Sequence, residues 1–147
     1  MSKDRGAFIW YELMTGDPAG AKAFYDEVIG WTIAADAMTM ANNSEYRMIG
    51  RSDGGFAGGV LTITPDMASH GGKPMWASYI HHADVDAAVT AMRDAGGAVH
   101  MPPTDMPGIG RMAMVSDPQG AVFYIMKPTP PADNPDAKSD VFDEAKA

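Results

Sequence analysis

The chain states nearly the same pattern twice, 67 residues apart, with Asp84 answering to Asp17. In the first copy an apolar run, Phe8-Ile9-Trp10-Tyr11-Glu12-Leu13-Met14, leads to Asp17, a helix-like stretch and then Gly30-Trp31. In the second, Trp76-Ala77-Ser78-Tyr79-Ile80-His81 leads to Asp84, a helix-like stretch and Gly96-Gly97-Ala98. A duplicated strand-helix-strand unit is expected to build one site between its copies, from the residues each copy points inward.

Local signals fill in each copy. Asp17 offers an oxygen to free backbone amides and Pro18 sits where its missing N–H costs nothing, so a helix starts there. Ala21, Phe24, Tyr25 and Val28 follow at helical spacing until Gly30 ends the run. Trp31 to Ala34 reads as a strand. The turn-rich segments Ala41-Asn42-Asn43-Ser44 and Ser52-Asp53-Gly54-Gly55 then bound the strands Tyr46–Ile49 and Gly59–Ile63. Residues 67–74 lack periodicity and read as a connection. The second copy has a strand over 77–82 and a helix from Asp84 with Ala88, Ala91, Met92 and Ala95 on one face. A strand over 98–101, a proline-rich loop over 102–110, and strands over 111–115 and 121–126 follow. Beyond Lys127 the apolar pattern stops. The expected organisation is one domain over 1–127, with module one at 7–66 and module two at 74–127, and a flexible tail or linker over 128–147.

Composition narrows the function classes. A length of 147 residues suits a single domain of two half-size modules. The absence of cysteine removes disulfides, thiolate nucleophiles and thiolate zinc sites. A formal net charge of −8 with scattered Lys and Arg argues against nucleic acid or an anionic membrane as partner. No signal-like start or membrane-length apolar run is present, so a soluble cytoplasmic protein is expected.

The set Trp10-Tyr11-Glu12-Leu13, Thr15-Gly16-Asp17-Pro18, Phe24-Tyr25, Gly30-Trp31, Trp76-x-x-Tyr79, Asp84-Val85-Asp86, Gly96-Gly97, Gly110-Arg111 and Asp117-Pro118-Gln119-Gly120 resembles the vicinal oxygen chelate superfamily. That superfamily includes glyoxalase I, extradiol dioxygenases, and fosfomycin- and bleomycin-resistance proteins. Within it, the chain is similar to glyoxalase-like proteins that often carry two such domains in tandem. The resemblance covers roughly residues 7–127. It implies an α+β fold in which two βαβββ modules form a half-open barrel, a homodimer, and a metal held by His or Gln on each module's first strand and Glu on its last. Carried over position by position, those places fall on Trp10, Ala77, Tyr124 and either Leu61 or Thr62. None carries the donor a divalent cation needs, so no metal and no cofactor are expected.

Side chains alternate along a strand, which makes Trp10, Glu12 and Met14 the inward set of the first copy and Ala77, Tyr79 and His81 that of the second. A carboxylate facing such an interior either bonds to a neighbour such as Tyr79 or titrates upward, since burying its charge is costly. With a raised pKa it would act as general acid or base. His81 and His82 point to opposite faces, so only one enters a pocket and a metal centre of Glu12 and His81 would have two ligands at most. His70 and His100 read as solvated polar residues. Arg111 and Arg47 could each meet an anionic ligand near the cavity mouth, though a surface or rim role is the commoner one for such residues. The glycines of 54–59 and 108–110 read as turns and bulges rather than phosphate cradles. The thirteen methionines are mostly core filling that would also suit an apolar ligand. No serine-protease-like triad is recognisable.

Together these readings predict a metal-independent, glyoxalase-like protein binding a small, partly apolar organic molecule. Trp10, Met14, Tyr79, Tyr124 and Arg111 are the substrate-binding candidates, and Glu12 and His81 the catalytic ones. It would be either a binding protein or a lyase or isomerase using a carboxylate acid/base. The competing reading is a metal-dependent glyoxalase-like lyase, isomerase or dioxygenase.

Overall fold

The computed structural model describes residues 5–40 and 43–129, so from residue 130 on the expected tail lies outside the described residues. The chain divides into two compact units: Tyr11–Ala77, and a second that joins residues up to Trp10 to those from Ser78 onward. The divisions fall inside two strands rather than in the 67–74 connection, so sequence repeat and compact unit do not coincide.

The first copy contains β1 (Arg5–Thr15), α1 (Pro18–Ile29), β2 (Thr32–Ile33), β3 (Met38–Thr39), β4 (Glu45–Gly50), β5 (Phe56–Thr62) and α2 (Pro65–Ser69). The start of α1 is as expected: the Asp17 carboxylate accepts the Gly20 N–H at 3.0 Å. Gly30 closes it in the left-handed conformation, φ 83°, which a side chain would resist. Ala21 and Tyr25 of α1 pack on Leu13, Ile33, Ile49 and Val60. Lys22 and Asp26, one turn apart and 2.6 Å from each other, tether the short β2. Lys22 donates to the Ile33 carbonyl at 2.7 Å and Asp26 accepts the Ile33 N–H at 2.9 Å. Burial works to raise the Asp26 pKa, yet the bonds from Lys22 and Ile33 outweigh it and hold the carboxyl below its ordinary value.

The strands of this copy lie in the order β2-β4-β5-β1, with β3 also on β4. β1 and β5 run parallel, Glu12 opposite Gly59 and Met14 opposite Leu61, and β4 runs antiparallel to β5. Here the structure corrects the reading of residues 54–59. Gly54 is in a turn with φ 81°, but Gly58 and Gly59 lie within β5. They are glycine because of close neighbours, not because of a bend. A Cβ on Gly58 would strike the Tyr11 carbonyl, and one on Gly59 would overlap the ring of Tyr46. The connection over 67–74 likewise hides part of α2, whose Thr64 cap and Pro65 repeat the Asp17-Pro18 signal over a helix too short for periodicity.

The second copy runs β6 (Met75–His82), α3 (Val85–Asp94), β7 (Ala98–Met106), β8 (Gly110–Ser116) and β9 (Val122–Pro128), ordered β6-β9-β8-β7. β6 and β9 are parallel, with Tyr79 opposite Tyr124, as β1 and β5 are in the first copy. The second copy is therefore a βαβββ module; the first follows the same plan with one extra two-residue strand, β3, before β4, each copy has its first strand beside its last, and the fold is α+β. Asp84 caps α3 by accepting the Ala87 N–H at 3.0 Å. The buried face of α3 differs from the expected one: Val85 and Val89 are buried, helped by Ala88 and Met92, while Ala91 and Ala95 are exposed. These valines pack on Ala113, Val115 and Ile125, each buried aliphatic side chain contributing roughly 1.5–3 kcal/mol. The loop expected over 102–110 is mostly strand. β7 continues through Pro102 and Pro103 because it lies at the end of this order, where a missing N–H is tolerated, and its register slips between Met101 and Thr104. No helix among the described residues is long and apolar enough to cross a membrane.

The Gly59 packing gives a direct test. Gly59→Ala should lower stability by about 1–3 kcal/mol in urea unfolding, as overpacked sites do. Gly16→Ala, in open space with no unusual φ, should be neutral or slightly stabilising.

Candidate functional site

Each module has two sheet faces, one covered by its helix and one turned away from it. In the second unit Ile125, Ala113 and Val115 point towards α3, so by alternation Tyr79, His81, Tyr124, Met126, Met112 and Met114 point away. Tyr79 and Tyr124 are both buried and stack face to face, ring centroids 4.1 Å apart and planes within 3°. His81 stands on the same face, opposite Met126. Its Nδ1 is buried and has no hydrogen-bond partner among the described residues. Tyr79, His81 and Tyr124 thus share one sheet face. His82 faces the other way and accepts the Asp84 N–H at 3.0 Å, a structural role.

In the first unit the face turned away from α1 carries Glu12 and Met14 of β1, with Gly59 and Leu61 of β5 and Met48 and Tyr46 of β4 in register. Glu12 is only 2% exposed, a carboxyl group among mostly apolar neighbours. Trp10, two residues before Glu12 on the same strand, is also buried.

Strand pairing also settles the last-strand position. Tyr79 and Glu12 are repeat mates; Tyr79 pairs with Tyr124 and Glu12 with Gly59. The counterpart of Tyr124 in the first copy is therefore Gly59, not Leu61 or Thr62. A glycine there has no side chain to offer a cation, and Tyr46 covers it instead. No group of three His, Asp or Glu residues that could hold a metal comes together among the described residues. The donor set at the inherited positions, Trp10, Ala77, Gly59 and Tyr124, does not fit a divalent cation.

Arg111 is a correction. It lies on the α3 side, one residue from Met112, and its guanidinium is held by Asp86 at 2.7 and 2.9 Å and by Asp105 at 3.1 Å. A cation so engaged with two carboxylates is a brace between α3, β7 and β8, away from the tyrosine face. The Arg111 bond is the main reason the Asp86 carboxyl titrates below its ordinary value. Arg47 donates to the Ala35 carbonyl at 2.9 Å. His100 meets the buried Ser116 hydroxyl at 2.9 Å, and exposed His70 caps α2 through the Asp66 carbonyl.

Sequence reasoning missed one cavity. On the α1 side of the first unit Tyr11, Trp31, Ile49, Ala57, Gly58 and Trp76 line a hollow of about 280 Å³. The signal was present in Gly30-Trp31 and Trp76, but the inward set drew attention to the opposite face.

Against this geometry, the sequence pattern of the Glyoxalase/Bleomycin resistance protein/Dioxygenase superfamily matches residues 7–125. The chain belongs to that superfamily. CFP32 of Mycobacterium tuberculosis, named as a glyoxylase, is 37% identical over 127 residues, 86% of this chain and 46% of that protein. The anthracycline biosynthesis protein DnrV of Streptomyces peucetius is 32% identical over 83% of this chain and 47% of its own length. The chain thus spans about half the length of the curated relatives it matches. Among solved structures, methylmalonyl-CoA epimerase from Mycobacterium tuberculosis superposes with TM-score 0.60 at 11% identity, covering 88% of this chain and 93% of the other. The Streptomyces coelicolor epimerase gives 0.58 at 18%, covering 84% and 97%. Such identities show a shared glyoxalase-type fold.

The Arg111 brace predicts a sign as well as a place. Because the Asp86 carboxyl is held low, the stability it lends is complete above its ordinary value near 3.8 and is lost as pH falls through the lowered one. A carbon-13 NMR titration should find the Asp86 midpoint below 3.8, and Arg111→Gln should return it to the ordinary range.

Proposed function

We propose that this superfamily member binds a small, partly apolar organic molecule without a metal, acting in the cytoplasm as a homodimer. The observation that carries the reading is the exchange of metal donors for an aromatic surface: Tyr124 is stacked on Tyr79 where the family pattern calls for Glu. A parallel tyrosine pair bordered by methionines suits a flat apolar group, since thioethers adapt to irregular shapes and rings stack. The partnerless Nδ1 of His81 supports a polar contact on the same face, such as a ligand hydroxyl or carbonyl oxygen. The names of relatives in anthracycline biosynthesis and as glyoxylases put small organic carbonyl compounds among the first ligands to try.

Glu12 is the acid/base group of this proposal. A carboxyl shielded from water can take a proton from carbon beside a carbonyl and return it, which is the step a lyase or isomerase needs. Without such turnover the same surfaces serve a binding protein.

A panel of small carbonyl compounds incubated in D2O separates these outcomes. Deuterium incorporation beside the carbonyl should survive exhaustive chelation and fall at least about 100-fold in Glu12→Gln. Stoichiometric binding without exchange, weakened in Tyr79→Ala, would establish the binding version. Exchange abolished by chelation and restored by added metal would overturn the proposal.

A further inference from the structure

The hollow on the α1 side of the first unit is separate from the face just discussed, because Tyr11 and Ile49 point opposite to Glu12. Gly58 lies in its lining, opposite Ile49 of β4 and so close to the Tyr11 backbone of β1 that no side chain fits there. Its walls are fixed. Trp31 stacks on Tyr25 at 5.8 Å, and Trp76 donates its Nε1–H to the Tyr25 hydroxyl at 3.2 Å. The only polar atom of the Trp76 ring is thereby satisfied, yet the residue remains 41% exposed, as does Tyr11 at 43%. Trp31 and Trp76 meet at 66° with centroids 5.9 Å apart, presenting two ring surfaces at an angle.

We propose that this hollow is a second ligand site, for a compact uncharged aromatic compound of one or two fused rings. Three properties select that class. A volume of about 280 Å³ is at the small end of ligand cavities, which commonly start near ~300 Å³. The lining is aromatic, aliphatic or glycine, so an anionic or strongly hydrogen-bonding ligand would lose water without replacement. Two tryptophan rings at an angle let a flat ring stack on one while its edge meets the other, the two arrangements aromatic pairs favour. The site is pre-formed, since Tyr25 anchors both tryptophans from the side facing the core.

NMR titration of the full chain with indole, and separately with tetramethylammonium as a cationic probe, tests this. Indole should give saturable shifts centred on the Trp31 and Trp76 ring N–H signals and on the Ile49 and Ala57 methyls, whereas tetramethylammonium should not. Trp76→Ala, at a partly exposed position, should weaken indole binding about tenfold, and Ala57→Leu should fill the hollow and abolish it. Glu12→Gln should leave indole affinity at this site unchanged, which separates this proposal from the proposed function. Absence of saturable wild-type shifts, shifts centred on the Tyr79 face, or preferential binding of tetramethylammonium would overturn it. So would a dimer in light scattering that Trp76→Ala dissociates, because the hollow would then be covered by a second copy.

Discussion

In both modules the first strand is hydrogen-bonded in parallel to the last, β1 to β5 and β6 to β9, and the other features follow from that pairing. Parallel neighbours cannot be joined by a tight turn, so the intervening chain must cross over, and here it does so through a helix and the remaining strands. The helix is thereby committed to one face of its own sheet. Leu13, Ile33, Ile49 and Val60 meet α1, and Ala113, Val115 and Ile125 meet α3. With a strand period of two, everything between those positions is turned to the other face, where each module can carry chemistry without disturbing the packing of its helix.

The repeat mates show how far the two copies have diverged on that second face. Tyr79 and its partner Tyr124 form an aromatic stack, while Glu12 and its partner Gly59 place a buried carboxyl beside a glycine roofed by the Tyr46 ring. The backbone plan is the same and the chemistry is not. At the positions where a metal-binding relative would carry His, Gln or Glu stand Trp10, Ala77, Gly59 and Tyr124, and Arg111 is bound up with Asp86 and Asp105 on the other side of its sheet.

What was legible in the sequence was what local physics dictates. Asp17-Pro18, Gly30 and Asp84 announce their helix ends because capping depends on one or two residues. The alternation that puts Glu12 with Met14, and Tyr79 with His81, on one sheet face was legible because strand periodicity is local too. What was missed depended on partners far along the chain. Gly58 and Gly59 looked like a turn until Tyr11 and Tyr46 were seen against them. Pro102 and Pro103 looked like a loop until β7 proved to lie at the end of its order, and Arg111 looked available until Asp86, 25 residues earlier, was found holding it.

The central claim is that the superfamily frame is kept while its metal centre is replaced by Tyr124, Gly59, Ala77 and Trp10. Elemental analysis of the full chain, purified without a metal-affinity tag and without chelators, tests it most directly. The account predicts Ni, Zn, Mn and Fe each far below stoichiometric amounts. About one tightly held ion per chain, the content of a working metal site, would contradict it.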